Sequence, residues 1–226
     1  MTAARIVASR KALIFDLDGT LVDTQPDIRK AINGALRDCG FDEIAQDAKV
    51  PNLHATLPVI LSAVMEQLGI AESAMEPLRQ AYIKHYRAQA HGGSELYPGV
   101  MELLQAHQGR GGIMAVCTNK NRADALDVLG RCDILHFFQY VTGGDTTAHP
   151  KPHPAPLAHT LEQLQTEPAD AILIGDTHAD ALCAQTVKTG FMLHLAGYGG
   201  QAALDCPNDA QFSSYAELQG QPGSSF

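Results

Sequence analysis

The chain alternates short apolar runs with longer segments in which apolar residues recur every three or four positions. Short continuous apolar runs bounded by turn-forming residues are typical of strands buried on both faces of a parallel sheet. Such runs cover residues 12–17, 113–118, 140–143, 171–175 and 191–195. We predict that they form the strands of a parallel sheet, with the 140–143 run giving the weakest signal.

Segments with helical spacing lie between these runs. They cover residues 100–107, 122–129, 154–164 and 179–188. Alternation of buried strands with amphipathic helices is expected of a doubly wound sheet, in which helices cover both faces. The pattern therefore predicts an α/β fold.

One stretch interrupts the alternation. Between residues 24 and 96 we find helical periodicity without a convincing strand, over 27–39, 59–68 and 73–89. This predicts an all-helical domain at 24–96, inserted into a catalytic core that comprises residues 1–23 and 97–226.

Composition narrows the classes of partner. A net charge of −9 with only 16 Lys and Arg among 226 residues argues against nucleic acid, whose binding requires clustered cations. The five cysteines are scattered and never spaced as CxxC, which argues against disulfides or a zinc site and fits a reducing cytoplasm. No run approaches the roughly 20 apolar residues that span a bilayer, so we expect no membrane partner. The composition does not predict an oligomeric state.

Polar residues that could take part in catalysis or metal binding follow four of the apolar runs. They are Asp16 and Asp18 in FDLDGT, Thr118 and Asn119 in VCTNK, Lys151 in HPKP, and Asp176 and Asp180 in GDTHAD. Ligands of open parallel sheets bind beyond the carboxyl ends of the strands. We therefore expect these residues to lie near one another at that edge.

Each of these residues alone has an ordinary explanation: Asp18 could begin a turn, Lys151 could be a solvated loop cation, and Asp180 could favour a helix N-terminus. Together they supply a carboxylate nucleophile, a hydroxyl, a cation and a second acidic pair, which is the set that phosphoryl transfer requires. Closely spaced carboxylates repel unless a cation or proton offsets their charge, and oxygen-only ligands suit Mg²⁺. The sequence therefore predicts a magnesium site.

The segments FDLDGTLVDT, VCTNK, HPKPHPAP and LIGDTHAD resemble the four ordered motifs of the haloacid dehalogenase superfamily. The resemblance covers the whole core and implies a Rossmann-like sheet with a helical cap inserted after the first strand. It also implies hydrolysis of a phosphomonoester through an aspartyl-phosphate.

The resemblance implies a role for each matching residue. Asp16 would be the nucleophile and Asp18 the general acid and base. The phosphate would be held by Gly19, Thr118, Asn119 and Lys151, and Mg²⁺ would be bound by Asp16, Asp176 and the main-chain carbonyl of Asp18. Asp180 would be either a metal ligand or a residue that orients the ligands.

LVDTQPDI and GGDTTAHPKPHPAPL further resemble the phosphoglycolate phosphatase branch, which implies 2-phosphoglycolate or a similar small phosphorylated metabolite as substrate. Residues 51–58 depart from that branch, which usually has a glycine-containing segment there. A pyrophosphatase, a sugar-phosphate mutase or a catalytically silent binding protein would share the same core motifs. A dehalogenase is disfavoured because a halide leaving group does not need the acid that Asp18 would supply.

Overall fold

The computed structural model describes residues 2–89 and 92–219. The chain divides into two compact units, one comprising Met1–Asp23 and Leu96–Phe226 and the other Thr24–Glu95. The strands are β1 Ala12–Phe15, β2 Val22–Asp23, β3 Glu95–Leu96, β4 Ile113–Cys117, β5 Tyr140–Thr142, β6 Ala171–Gly175, β7 Gly190–His194 and β8 Ala210–Phe212. The helices are α1 Ala3–Ser9, α2 Gln25–Asp38, α3 Leu57–Leu68, α4 Met75–Ala88, α5 Val100–Gly109, α6 Arg122–Arg131, α7 Ala155–Gln163, α8 His178–Val187 and α9 Gly200–Leu204.

The larger unit is built on a six-stranded sheet with the order β5-β4-β1-β6-β7-β8. Every neighbouring pair of strands in it is parallel. All six strands therefore present their carboxyl ends at one edge, and β1 lies between β4 and β6. The predicted α/β class is confirmed, and each of the five predicted apolar runs overlaps a strand of this sheet.

Side chains of the sheet alternate between two apolar cores because successive residues of a strand point to opposite faces. Leu13 and Phe15 pack in one core with residues of α5 and α6. Ala12 and Ile14 pack in the other with residues of α7 and α8. All four are fully buried, which explains why β1 is a continuous apolar run and not an alternating one.

The smaller unit, described by itself, contains only helices among its regular elements between residues 24 and 94, as far as these residues are described. Helix α2 packs against α4, and α3 also packs against α4. In α2 the buried residues Ile28, Ile32 and Leu36 recur every four positions and form one apolar stripe. The predicted helical insert is therefore present.

The apolar run that begins at Ala12 was predicted to continue as strand to Leu17, but β1 ends at Phe15. The carbonyl of Leu17 accepts the backbone N–H groups of Thr20, Leu21 and Val22, so the chain turns there. Asp16 lies at the boundary and still donates its backbone N–H to Ile174 in β6. None of the helices in residues 2–89 and 92–219 is long and apolar enough to cross a membrane.

Candidate active site

Asp16 lies at the carboxyl end of the central strand. Its side chain is buried, and its Oδ1 accepts the backbone N–H of Leu17 at 2.7 Å. The same oxygen lies 3.2 Å from the Nζ of Lys151. The hydrogen bond to β6 fixes the backbone while these two contacts fix the carboxylate, so Asp16 is held rigidly at the sheet edge.

Lys151 follows β5, and its ammonium is enclosed by three oxygen atoms. Nζ donates to the backbone carbonyl of Cys117 at 2.6 Å and to Asp180 Oδ1 at 2.5 Å, and the third oxygen is that of Asp16. Burial alone would lower the pKa of Lys151, but the charges of Asp16 and Asp180 raise it well above its ordinary value. Lys151 is therefore a fixed positive charge.

Asn119 holds the loop that carries Lys151. Its Nδ2 donates to the Lys151 carbonyl at 3.0 Å, and its Oδ1 accepts the Lys151 backbone N–H at 2.9 Å. The preceding residue, Thr118, directly follows β4 and is buried; its hydroxyl accepts the backbone N–H of Lys120 at 3.2 Å. The polar side chains after β4 thus order the loops of the site.

Asp176 follows β6 and has hydrogen-bond donors on both carboxylate oxygens. Oδ1 accepts the Thr20 hydroxyl at 2.9 Å, and Oδ2 accepts the backbone N–H of Tyr198 at 2.6 Å. A side chain at Gly19 would collide with this carboxylate, and Gly19 also has a positive φ of +79°. Glycine is therefore required at the turn between Asp18 and Thr20.

Asp180 lies in the first turn of α8, where it forms a capping box with Thr177. Asp180 Oδ2 accepts the Thr177 backbone N–H at 3.1 Å and the Thr177 hydroxyl at 2.6 Å. Because Oδ1 contacts Lys151, each oxygen of Asp180 already has a protein partner. Asp180 thus links the start of α8 to the ammonium of Lys151.

Asp16, Asp176 and Asp180 each offer a carboxylate oxygen, and the three atoms lie within 4.8 Å of one another. Burial raises the pKa of Asp16 to about 7, although the Lys151 ammonium acts to lower it. Burial, together with the charges of Asp16 and Asp180, raises the pKa of Asp176 well above its ordinary value. One lysine therefore does not balance the acidic cluster, and a divalent cation with oxygen ligands fits both the donor atoms and the charge.

The carboxylate of Asp18 takes a different partner from those three. Lys120 Nζ lies 2.9 Å from Asp18 Oδ1 and 3.0 Å from Oδ2. The side chain of Lys120 is only 8% exposed, and that of Asp18 is 11% exposed. Lys120 was not among the predicted site residues, although its position next to Thr118 and Asn119 in the VCTNK segment was an available signal.

Tyr198 is a second residue that the sequence analysis did not select. Besides its backbone contact to Asp176, its hydroxyl donates to Asp23 Oδ1 at 2.7 Å. Asp23 is the last residue of the larger unit before the chain enters the helical one. The loop after β7 therefore contacts both the acidic cluster and Asp23, the residue at which the chain leaves the larger unit for the first time.

Buried carboxylates next to a buried lysine at the carboxyl edge of a parallel sheet are typical of the active site of an α/β enzyme. The sequence profile described as haloacid dehalogenase-like hydrolase matches residues 13–193, and the chain belongs to this family.

Relatives make the assignment more specific. The chain is 34% identical over 215 residues to a phosphoglycolate phosphatase of Rhodospirillum rubrum, a match that covers 92% of this chain and 89% of the relative. It is 31% identical over 208 residues to a phosphoglycolate phosphatase of Cereibacter sphaeroides, covering 91% and 94%. A crystal structure of a predicted phosphoglycolate phosphatase from Haemophilus somnus superposes with a TM-score of 0.86 at 26% identity, covering 93% of this chain and 96% of the other. The chain is therefore a phosphatase of the haloacid dehalogenase-like family.

Proposed function

We propose that the protein is a magnesium-dependent phosphomonoester hydrolase that acts through an aspartyl-phosphate on Asp16. The observation that carries the proposal is the environment of this carboxylate. It is buried at the end of the central strand, 3.2 Å from the Lys151 ammonium and within the cluster formed with Asp176 and Asp180. A fixed carboxylate next to a fixed cation suits nucleophilic attack on a dianionic phosphate.

In the first step an oxygen of Asp16 attacks phosphorus, and the bond from phosphorus to the ester oxygen breaks. Lys151 offsets charge on the nucleophile and on the phosphoryl group. Its contacts with Asp180 and the Cys117 carbonyl keep it in place, so little reorganisation is needed during the reaction. Gly19, Thr118 and Asn119 are the proposed phosphate-binding residues, since they lie in the loops that follow β1 and β4.

Asp18 is the proposed general acid and base. It protonates the leaving oxygen in the first step and accepts a proton from the attacking water in the second, so its proton cycles once in each turnover. Its carboxylate is turned to Lys120 and is not part of the three-carboxylate cluster. This separation suits a residue that handles protons and does not bind metal through its side chain.

Mg²⁺ would be held by Asp16 and Asp176, and when bound it would neutralise charge on the nucleophile and the phosphate. The Thr20 hydroxyl and the Tyr198 backbone N–H fix the orientation of Asp176 for this task. Asp180 is proposed to act indirectly, because its two oxygens already contact Lys151 and Thr177. Its role would be to orient the lysine and the start of α8.

The proposed substrate is 2-phosphoglycolate or a similar small phosphorylated metabolite. Support comes from the curated relatives named phosphoglycolate phosphatase, which match over about nine-tenths of both chains. The residues after β1 and β5 also carry the branch-like segments LVDTQPDI and GGDTTAHPKPHPAPL.

The test measures kcat/KM with Mg²⁺ for 2-phosphoglycolate, a hexose phosphate, a nucleoside monophosphate and pyrophosphate. We expect 2-phosphoglycolate to be preferred, and Asp16→Asn to abolish turnover of every substrate because an amide is a far poorer nucleophile. A matched control, the exposed Asp42→Asn, should keep wild-type rates. Normal activity in Asp16→Asn would refute the chemistry. A preference of about tenfold or more for another substrate would refute only the substrate assignment.

A further inference from the structure

The turn after β1 has two carbonyl groups that accept hydrogen bonds from aromatic side chains near the end of the chain. The backbone N–H groups of Thr20 and of the next two residues close the turn on the Leu17 carbonyl. The Gly19 carbonyl oxygen lies 2.9 Å from Nδ1 of His194, and the Thr20 carbonyl accepts the Tyr215 hydroxyl at 2.8 Å. Consecutive residues of the turn are thus held by two side chains that lie far away in the sequence.

The direction of both hydrogen bonds is fixed. A carbonyl oxygen only accepts, so His194 donates from Nδ1, and burial lowers the pKa of its ring, which is therefore neutral at neutral pH. Burial raises the pKa of Tyr215 well above its ordinary value, so the hydroxyl keeps its proton. His194 is 2% exposed and Tyr215 is 1% exposed, so water has little access to either side chain.

His194 and Tyr215 belong to one aromatic cluster with Phe212. Their ring centroids are 5.4 Å apart, and the Phe212 ring lies 4.9 Å from that of His194 and 5.0 Å from that of Tyr215. Phe212 is equally buried and its ring carries no polar atom. A phenylalanine in place of Tyr215 would fill nearly the same space without the cost of removing a hydroxyl from water. Packing alone therefore explains the rings but not the two donors.

The same turn contacts Asp176, the proposed metal ligand. The hydroxyl of Thr20 donates to Asp176 Oδ1 at 2.9 Å, while the carbonyl of Thr20 is held by Tyr215. The backbone of Gly19 approaches the other carboxylate oxygen so closely that a Cβ atom there would lie 2.5 Å from Asp176 Oδ2. His194 and Tyr215 therefore each hold a residue that lies against the Asp176 carboxylate.

We propose that Tyr215 and His194 are positioning residues that set the affinity of Asp176 for Mg²⁺ through the Gly19–Thr20 turn. The inference rests on the proposed function, in particular on Asp176 as a ligand of Mg²⁺. Groups that hydrogen-bond to metal ligands orient them, and their loss typically weakens metal binding by about 10–100-fold. Tyr215 acts through one further residue, so we expect an effect at the lower end of that range.

The experiment measures Mg²⁺ affinity in the absence of substrate, from the rise in melting temperature of the full-length protein with Mg²⁺ concentration. Tyr215→Phe removes the hydroxyl and keeps the ring, and its dissociation constant for Mg²⁺ should rise by about tenfold. The half-saturating Mg²⁺ concentration in a phosphatase assay should rise by the same factor. His194→Phe removes the other donor and should weaken Mg²⁺ binding in the same direction.

The matched control is Phe212→Leu, which disturbs the same cluster without removing a hydrogen bond to the turn. It should lower the melting temperature of the metal-free protein and leave the dissociation constant for Mg²⁺ unchanged. If Tyr215 and His194 only stabilised the fold, their variants would behave like this control. An unchanged Mg²⁺ affinity in Tyr215→Phe, or an equal change in Phe212→Leu, would overturn the proposal.

A measurement on the wild type decides the question if the variants do not fold. Nitrogen NMR of isotopically labelled histidines identifies which ring nitrogen carries the proton. Nδ1 of His194 should be protonated in the metal-free protein, and its signal should shift when Mg²⁺ is added. Buried His107 of α5, which lies beside Gly112 just before the amino end of β4, should not respond. An unprotonated Nδ1 in His194, or a signal that Mg²⁺ does not shift, would refute the inference.

Failure of the proposed function is distinguishable from these outcomes. A wild type whose melting temperature does not respond to Mg²⁺ would refute the metal site itself. A wild type that binds Mg²⁺ but hydrolyses neither 2-phosphoglycolate nor para-nitrophenyl phosphate would refute the phosphatase chemistry, while the effect of Tyr215→Phe on Mg²⁺ affinity would still test the positioning role.

Discussion

The metal-free protein should lose stability as the pH rises towards neutrality, and Asp16→Asn should remove much of that loss. The pKa of Asp16 rises from an ordinary 3.8 to about 7 because the folded protein buries its carboxylate. The folded state thus binds this proton more tightly than the unfolded state. The resulting stability is fully present below pH 3.8 and is lost as the pH rises through about 7. The difference in pKa corresponds to at most about 4 kcal/mol.

Urea unfolding of EDTA-treated protein at pH 5 and pH 8, followed by circular dichroism, measures this effect. With a urea dependence of about 1–3 kcal/mol per molar, Asp16→Asn should unfold at a urea concentration higher by roughly 1 M or more at pH 8. The difference should shrink at pH 5, and Mg²⁺ should restore the wild type because it binds only the folded state. Asp42→Asn, at an exposed position, should show no such change. A metal-free wild type whose stability does not fall between pH 5 and pH 8 would refute this interpretation of the acidic cluster.

Two further predictions concern catalysis. EDTA should abolish activity and Mg²⁺ should restore it. Ca²⁺ should inhibit, because its larger and looser coordination shell misplaces the reacting groups. Full activity in protein shown by elemental analysis to be metal-free would contradict the role given to Asp176. Asp18→Asn should slow phosphorylation of the enzyme far more with an alkyl phosphate than with para-nitrophenyl phosphate, whose leaving group needs no proton. Equal impairment of the two in rapid-mixing experiments would argue against Asp18 as the acid.

The central strands β1, β4 and β6 were predictable because each is a continuous apolar run that is almost entirely buried. The edge strand β8, Ala210–Phe212, was not predicted, since it is only three residues long and only Phe212 is buried. Helix α1 was also missed, because its seven residues bury only Ile6 and Val7 and so show little periodicity. Elements with few buried residues leave too weak a pattern to be identified from the sequence.

The residues of the candidate site could also be predicted only in part. Asp16 and Asp176 could be selected because each directly follows a strand, and Lys151 because it lies in the loop after β5. The carboxyl ends of these strands share one edge of the sheet. Lys120 follows Thr118 and Asn119 but was not selected, because a lysine in a loop is usually exposed unless it is paired, and its pairing with Asp18 is visible only in the folded chain. Tyr198 could not be predicted, because its contact with Asp176 is made by a backbone N–H, which any residue type other than proline could provide.

The two lysines of the site contact different carboxylates. Lys151 lies with Asp16 and Asp180, on the side of the nucleophile, and its three oxygen partners leave it little freedom to follow a substrate. Lys120 lies with Asp18, the proposed acid, on the side of the leaving group. Phosphoryl transfer is common to all substrates of such an enzyme, so its cation can be fixed by the protein.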